Sequence, residues 1–177
     1  KIEILTANTE MLMDMLKNQA CDFAIVREPY SVLKPNQRED FEITPFFMDP
    51  LVLVVPENHR LADQPSVTFD QLRGEGVVTL PEAIYKKCVE ECRKYSFEPH
   101  IGRMIPSSSD IFDAVSAGCG VAIYGKKRMS IVSSWALKTI DIVPTVYLGI
   151  YIVSYKKHVM PNSAKQLIGC LCLKAEV

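Results

Sequence analysis

The sequence lacks the features that most readily assign a protein to a class. No apolar run approaches the roughly 18 residues of a membrane span, and the opening KIEILTANTE has neither the basic start nor the apolar stretch of an export leader. No charge of one sign dominates: 20 Lys and Arg stand against 21 Asp and Glu, a net charge of -1, far from the basic balance of a chain that grips nucleic acid by itself. A cytoplasmic protein with no membrane partner is expected. Internal repeats and low-complexity segments are missing as well.

The usual chemical motifs are also absent. There is no G-x-S-x-G elbow, no H-E-x-x-H, no P-loop and no dinucleotide fingerprint. The glycines of SAGCGVAIYG follow a helical pattern and precede a strand, the reverse of the phosphate-binding order. Carboxylates are plentiful, but none is spaced as an acid-base pair. Cys21, Cys88, Cys92, Cys119, Cys170 and Cys172 do not make the short, loop-rich secreted pattern of a disulfide framework, so reduced thiols are expected. Neither the cysteine pairs nor His59, His100 and His158 have the dense spacing of a zinc site. The expectation is a protein that is not an enzyme, with no catalytic residue, no metal and no cofactor.

What is present is an alternation of strand and helix patterns. Lys1 to Leu5 alternates polar and apolar residues and predicts a strand; Met11, Leu12, Met15 and Leu16 follow helical spacing behind Thr9 as N-cap; Asp22 to Val26 reads as a buried strand ending at Arg27. That succession predicts a parallel βαβ unit. Glu28 to Asp40, rich in proline and charge, reads as an exposed loop. Further strands are expected at Phe41 to Phe47, Leu51 to Val55, Gly76 to Leu80, Ile101 to Ile105, Val121 to Tyr124, Ile140 to Val143 and Tyr147 to Tyr155. Helices are expected at Phe69 to Gly74, Ala83 to Tyr95, from Asp110, near Met129 to Trp135, and from Ser163 to Leu173. The fold class is α/β.

Two features carry possible chemistry. In SSSDIFDAVSAGCGVAIYG the hydroxyls of Ser107, Ser108 and Ser109 can accept the free N–H groups of a helix start, Gly118 can end the helix, and Gly120 can let the next strand pack closely. The same helix start can instead receive an anion, through its N–H donors, its dipole and the serine hydroxyls. Arg27 ends a buried strand, where loops of an α/β sheet form ligand crevices. It can clamp a carboxylate or serve as a solvated or salt-bridged cation beside Glu28 or Asp22.

NTEMLMDMLKNQACDFAIVRE, DPLVLVVPENHRLADQPSVTFDQLRGEGVVTLP and DIFDAVSAGCGVAIYG, in this order along the chain, resemble the effector-binding domain of LysR-type transcriptional regulators over nearly the whole chain. The resemblance implies a two-lobed fold like the type 2 periplasmic binding proteins, with two crossover strands and a small-molecule effector in the cleft. Lobe I would comprise 1–49 and 149–177, and lobe II 50–148; the first strand-helix unit of lobe I is not recognisable. By position, Thr9 matches the polar start of the lobe I helix, Arg27 the end of the next strand, and Gly149 and Ile150 the second crossover. Leu80, Pro81 and the residues to Tyr85 match a lobe II loop, with Glu82 there opposing an anion. Ser107, Ser108 and Ser109 match the helix start that points at the ligand, one serine capping and another facing it.

The function so implied is effector sensing by a DNA-binding regulator that takes an organic anion or amino acid and works by population shift. DNA would be contacted only through an N-terminal helix-turn-helix absent from this chain, and the intact protein would be a homodimer or homotetramer. A solute-binding protein of a transporter uses a similar fold and is the alternative. An enzyme on this fold, or a thiol switch at Cys88 and Cys92 or at Cys119, is a third class.

Overall fold

The computed structural model describes residues 1–81, 83–105, 107–129 and 136–175. They form two compact units, Lys1–Met48 with Gly149–Val177, and Asp49–Leu148. In chain order the first unit contributes α1 (Thr9–Lys17), β1 (Ala24–Arg27), α2 (Pro35–Arg38) and the start of β2 (Phe41–Pro56). The second continues through β3 (Ser66–Val67), β4 (Gly76–Thr79), α3 (Ala83–Lys94), β5 (His100–Met104), α4 (Ser108–Ser116), β6 (Val121–Gly125), α5 (Lys126–Met129) and β7 (Leu137–Ile142). The chain then returns to the first unit along β8 (Tyr147–Tyr155) and ends in α6 (Asn162–Ala175).

In the first unit, α1 starts where the Asn8 side chain accepts the Met11 N–H at 2.8 Å. Glu10 in the first turn and Lys17 in the last match the helix dipole. Met13 and Leu16, three apart, turn inward and pack with Ala24 and Val26 of β1, Leu33, Phe41 and Val153. Apart from Ala24, each such buried side chain contributes about 1.5–3 kcal/mol. β1 alternates, with Ala24 and Val26 buried and Ile25 exposed, and pairs antiparallel with β8 from Ala24 opposite Val153 to Arg27 opposite Ile150.

Four expectations change here. The N-cap is Asn8, and Thr9 is the first helical residue, because the amide oxygen of Asn8 reaches the free N–H. Lys1 to Leu5 is not a strand: Ile2 is 67% and Ile4 85% exposed, and alternation makes a strand only when a neighbouring edge supplies the ladder. The expected parallel βαβ unit is absent for the same reason, since β1 takes an antiparallel partner from the far end of the chain. Glu28 to Asp40 is not a plain loop: Pro29–Ser31 forms a 3-10 turn and Pro35–Arg38 a helical turn, with Pro29 and Leu33 buried.

The second unit is built on a sheet in which β6 lies between β2 and β4, and β4 between β6 and β5. β4 runs parallel to both β5 and β6, whereas β2 pairs antiparallel with β6 and β7. The two expected strands of 41–55 are one strand, β2, which runs through Pro50 without a break. Leu51 to Val55 and Val121 to Tyr124 are buried throughout, the continuous apolar runs of strands covered on both faces. Ile111, Phe112 and Val115 of α4 are likewise buried, with the Phe112 ring 5.2 Å from that of Tyr124.

The stretch PSVT adds the two-residue strand β3, parallel to β7, which no periodicity announces. Phe69–Leu72 is a 3-10 turn behind Thr68, whose N–H donates to Gln71 Oε1 at 2.9 Å, and Gly74 follows at φ +79°. The helix expected near Met129 to Trp135 falls mostly outside the described residues; its first residue, Met129, closes α5.

Candidate functional site

In the second unit the parallel strands β4, β5 and β6 end on one side of the sheet. Carboxyl ends of parallel strands are where α/β folds place ligand-binding loops, above all where successive crossovers leave a strand in opposite directions. β4 and β6 are such a pair: from β4 the chain passes through α3 to β5 on one side, and from β6 through α5 toward β7, which pairs with β2, on the other. Leu80, buried, and Pro81, exposed, directly follow β4. They stand beside the end of β5, because Thr79 is opposite Met104 and the Ile105 N–H donates to the Thr79 carbonyl at 3.0 Å. Glu82 is outside the described residues.

The next segment opens α4. Ser107 occupies the N-cap with extended backbone (φ -105°, ψ 132°), but its side chain does not bond a helix N–H, contrary to the capping role read from sequence. The hydroxyls turn to each other and to the acid: Ser107 Oγ and Ser109 Oγ are 2.8 Å apart, and they lie 3.1 and 3.2 Å from Asp110 Oδ1. Two hydroxyl protons thus serve three contacts, and an incoming acceptor can take one without stranding a donor. Asp110 in the first turn already complements the helix dipole. Ser108 is the first residue of the helix itself.

Behind the helix, Gly118 (φ +77°) ends α4, and Gly120 (φ +139°) sits so close to the next strand that a Cβ there would be 2.1 Å from the Gly76 carbonyl oxygen. Both glycine roles match the sequence expectation.

In the first unit three of the expected residues come together. Arg27, half-buried at the end of β1, is the cross-strand partner of Ile150, which is buried in β8. The adjoining Glu28 adopts a left-handed backbone (φ 40°, ψ 61°), an uncommon state for a residue with a Cβ. That turn lets its N–H donate to the Gly149 carbonyl at 3.0 Å while its Oε1 accepts the Gly149 N–H at 2.7 Å. Gly149 therefore has both backbone groups engaged. Nearby, Tyr151 meets Tyr30 edge to face at 5.7 Å; burial, then Glu28 and Tyr30, push its phenol upward. Thr9, half-buried, stands at the start of α1.

Two carboxylates at these positions escape sequence reasoning. Glu28 is one. The other is Asp49, 7% exposed, whose Oδ1 accepts the Lys127 N–H at 2.9 Å at the start of α5. A Cβ on Gly125 would come within 2.0 Å of Asp49 Oδ2, so the glycine is what admits the carboxylate. The only sequence signal for either contact is an isolated glycine in a strand run, Gly149 or Gly125, which marks a close approach without naming the visitor. Among the described residues no group of three or more His, Cys, Asp or Glu could hold a metal ion, and no helix is long and apolar enough to cross a membrane.

The comparisons with known proteins agree with this architecture. The family model for the LysR substrate binding domain matches residues 1–172, and the chain belongs to that family. Of curated relatives, the HTH-type transcriptional regulator AlsR of Bacillus subtilis (strain 168) is 25% identical over 125 residues, 68% of this chain and 39% of AlsR. The chain thus spans well under half the length of the curated relatives it matches. Among solved structures, the effector binding domain of QuiR in complex with shikimate superposes with a TM-score of 0.81 at 22% identity, covering 96% of this chain and 79% of that one. The regulatory domain of CcmR from Synechocystis PCC6803, in complex with 2-PG, gives 0.80 at 18% identity, with 99% and 83% covered. The fold is periplasmic-binding-protein-like, and the family is one of ligand-sensing regulatory domains rather than enzymes.

Proposed function

We propose that this chain senses a small organic anion or an amino acid and passes that signal to transcription through a DNA-binding helix-turn-helix elsewhere in the intact protein, which acts in the cytoplasm as a homodimer or homotetramer. The effector contacts proposed are Thr9, Arg27, Gly149 and Ile150 in one unit and Leu80, Pro81, Ser107, Ser108 and Ser109 in the other. The observation that carries the reading is the hydroxyl cluster of Ser107 and Ser109 at the start of α4, on the side of the sheet where parallel strands end. Arg27 supplies the cation for a carboxylate, and family membership makes ligand sensing the task. The solute-binding alternative has less support, since the curated relatives are HTH-type transcriptional regulators.

The effector stabilises one conformation of the regulator and so shifts its population. A thermal-shift screen of the chain against organic acids and amino acids tests the reading. A true effector at 100 times its dissociation constant adds about 2.7 kcal/mol, and its effect is reduced when Arg27 or Ser109 is replaced by alanine. A panel in which only neutral or cationic compounds shift the melting temperature defeats the anion assignment.

A further inference from the structure

Cys88 and Cys92 stand one helical turn apart on α3, and both side chains are fully buried, at 0% exposure. Residues four apart on a helix share a face, whereas the two-residue spacing of Cys170 and Cys172 on α6 does not. The Cys88 thiol is hydrogen-bonded to Cys92; this bond pushes the Cys88 thiol up and draws the Cys92 thiol down, the latter against burial, Glu98 and Glu91 and with help from Arg73. The turn carrying Cys92 closes the helix. Its carbonyl accepts the N–H groups of Tyr95 at 3.0 Å and Phe97 at 3.4 Å, and Ser96 reverses the chain at φ +59°. Arg73 donates to the Tyr95 carbonyl and lies 4.5 Å from the Phe97 ring centroid.

Helix geometry decides what such a pair can bind. Neighbours four apart hold their Cβ atoms about 5–6 Å from each other, whereas a disulfide draws them to about 3.8 Å around a bond of about 2.05 Å. Direct oxidation would have to distort α3. A single bridging atom, with a bond of about 2.3 Å to each sulfur as in metal thiolates, spans the gap with the helix intact. Among the described residues no third His, Cys, Asp or Glu completes a three-ligand cluster, which disfavours zinc and favours a soft centre content with two sulfurs.

We propose that Cys88 and Cys92 form a chelating dithiol for one thiophilic centre of the trivalent-arsenic type. With arsenous acid the step is As(OH)3 + 2 RSH → (RS)2AsOH + 2 H2O: two As–S bonds form, two As–O bonds break, and the thiol protons leave in the two waters. No oxidation state changes, so no oxidant is needed. The third arsenic position keeps its hydroxyl. Because both thiols are buried, capture requires the last turn of α3 to open and proceeds slowly.

Native mass spectrometry of the reduced 177-residue chain with arsenite tests this. The expected result is one arsenic per chain, lost in Cys88→Ala and in Cys92→Ala but kept in Cys119→Ser and Cys170→Ser. A wild-type chain that takes up no arsenic, or a Cys88→Ala variant that still holds it, overturns the proposal. Should the alanine variants not fold, the wild type decides alone: after arsenite, a brief pulse of iodoacetamide in denaturant must leave Cys88 and Cys92 jointly unalkylated. Alkylation of both at the arsenite-free rate overturns the proposal equally.

Discussion

Glu28 holds Gly149 by both of its backbone groups, giving its N–H to the glycine carbonyl at 3.0 Å and taking the glycine N–H on Oε1 at 2.7 Å. A side chain thus completes a ladder step that the backbone of β1 cannot reach, and does so from a left-handed conformation that costs a residue with a Cβ about 1–2 kcal/mol. Glu28→Gln keeps an acceptor in place and is expected to change stability little. Glu28→Ala leaves the N–H without it and should cost about 1–3 kcal/mol. Gly149→Ala should cost a similar amount, because its Cβ would lie 2.6 Å from Tyr151 Cε2 and 3.1 Å from Glu28 Oε1. Urea denaturation midpoints of the three variants check the ordering.

Gly118 and Gly120 flank Cys119 and share positive φ, yet they should respond very differently to alanine. At Gly118 nothing lies within 4 Å of the added Cβ, so only the backbone penalty of about 1–2 kcal/mol applies. At Gly120 the Cβ meets the Gly76 carbonyl oxygen at 2.1 Å, and β6 cannot stay parallel to β4 without moving. Gly118→Ala is expected to fold with a lowered melting temperature, and Gly120→Ala to be insoluble or unfolded by circular dichroism.

Asp49→Ala removes a buried acceptor from the Lys127 N–H and should cost about 1–3 kcal/mol. Asp49→Asn retains an oxygen acceptor and is expected to lose less. Gly125→Ala, with its Cβ 2.0 Å from Asp49 Oδ2, should be as harmful as Asp49→Ala, and combining the two should be less than additive because both act on one contact. A double-mutant cycle by chemical denaturation measures that shortfall; strict additivity would contradict it.

Ser109→Ala should leave folding nearly unchanged, within about 0.5 kcal/mol for an exposed side chain. The same change should weaken effector binding by about tenfold, the worth of a hydrogen bond to a charged group. Arg27→Ala should weaken binding of a carboxylate effector more than Arg27→Lys, since only the guanidinium is bidentate. Calorimetry with the effector found by screening supplies the numbers, and unchanged affinity in both alanine variants removes these residues from the site.

The sequence made the elements with strong apolar runs legible: Leu51 to Val55 and Val121 to Tyr124 are strands because they contain little but residues that pack on both faces, and Tyr147 to Tyr155 carries a mostly buried run from Leu148 to Val153. It concealed the pieces whose form depends on distant partners. Lys1 to Leu5 alternates like a strand but has no ladder, and β1 runs antiparallel to a segment far along the chain, which no local window contains. The turns at Pro29–Ser31 and Pro35–Arg38 are too short for periodicity to register.

At the candidate site, the chemistry of Arg27 and the serines could be read from residue type, but not their neighbours. That Ser107 would turn to Ser109 and Asp110 rather than to a helix N–H is a choice among nearly equal local hydrogen bonds. That Arg27 would face Ile150 is a matter of strand register.

The path of β2 and β8 also dictates an order of events during synthesis. Residues 49–148 are contiguous, so that unit is fully encoded as soon as Leu148 has been made. The other unit is encoded in two instalments: Met13, Leu16, Val26 and Phe41 emerge early, but the strand that carries Val153 into their cluster is translated only after residues 49–148. At about 5–20 residues per second, the 100 residues between take about 5–20 s. For that interval the apolar faces of α1 and β1 have no closing strand, and a nascent chain halted before Tyr147 presents them to whatever chaperone waits at the ribosome.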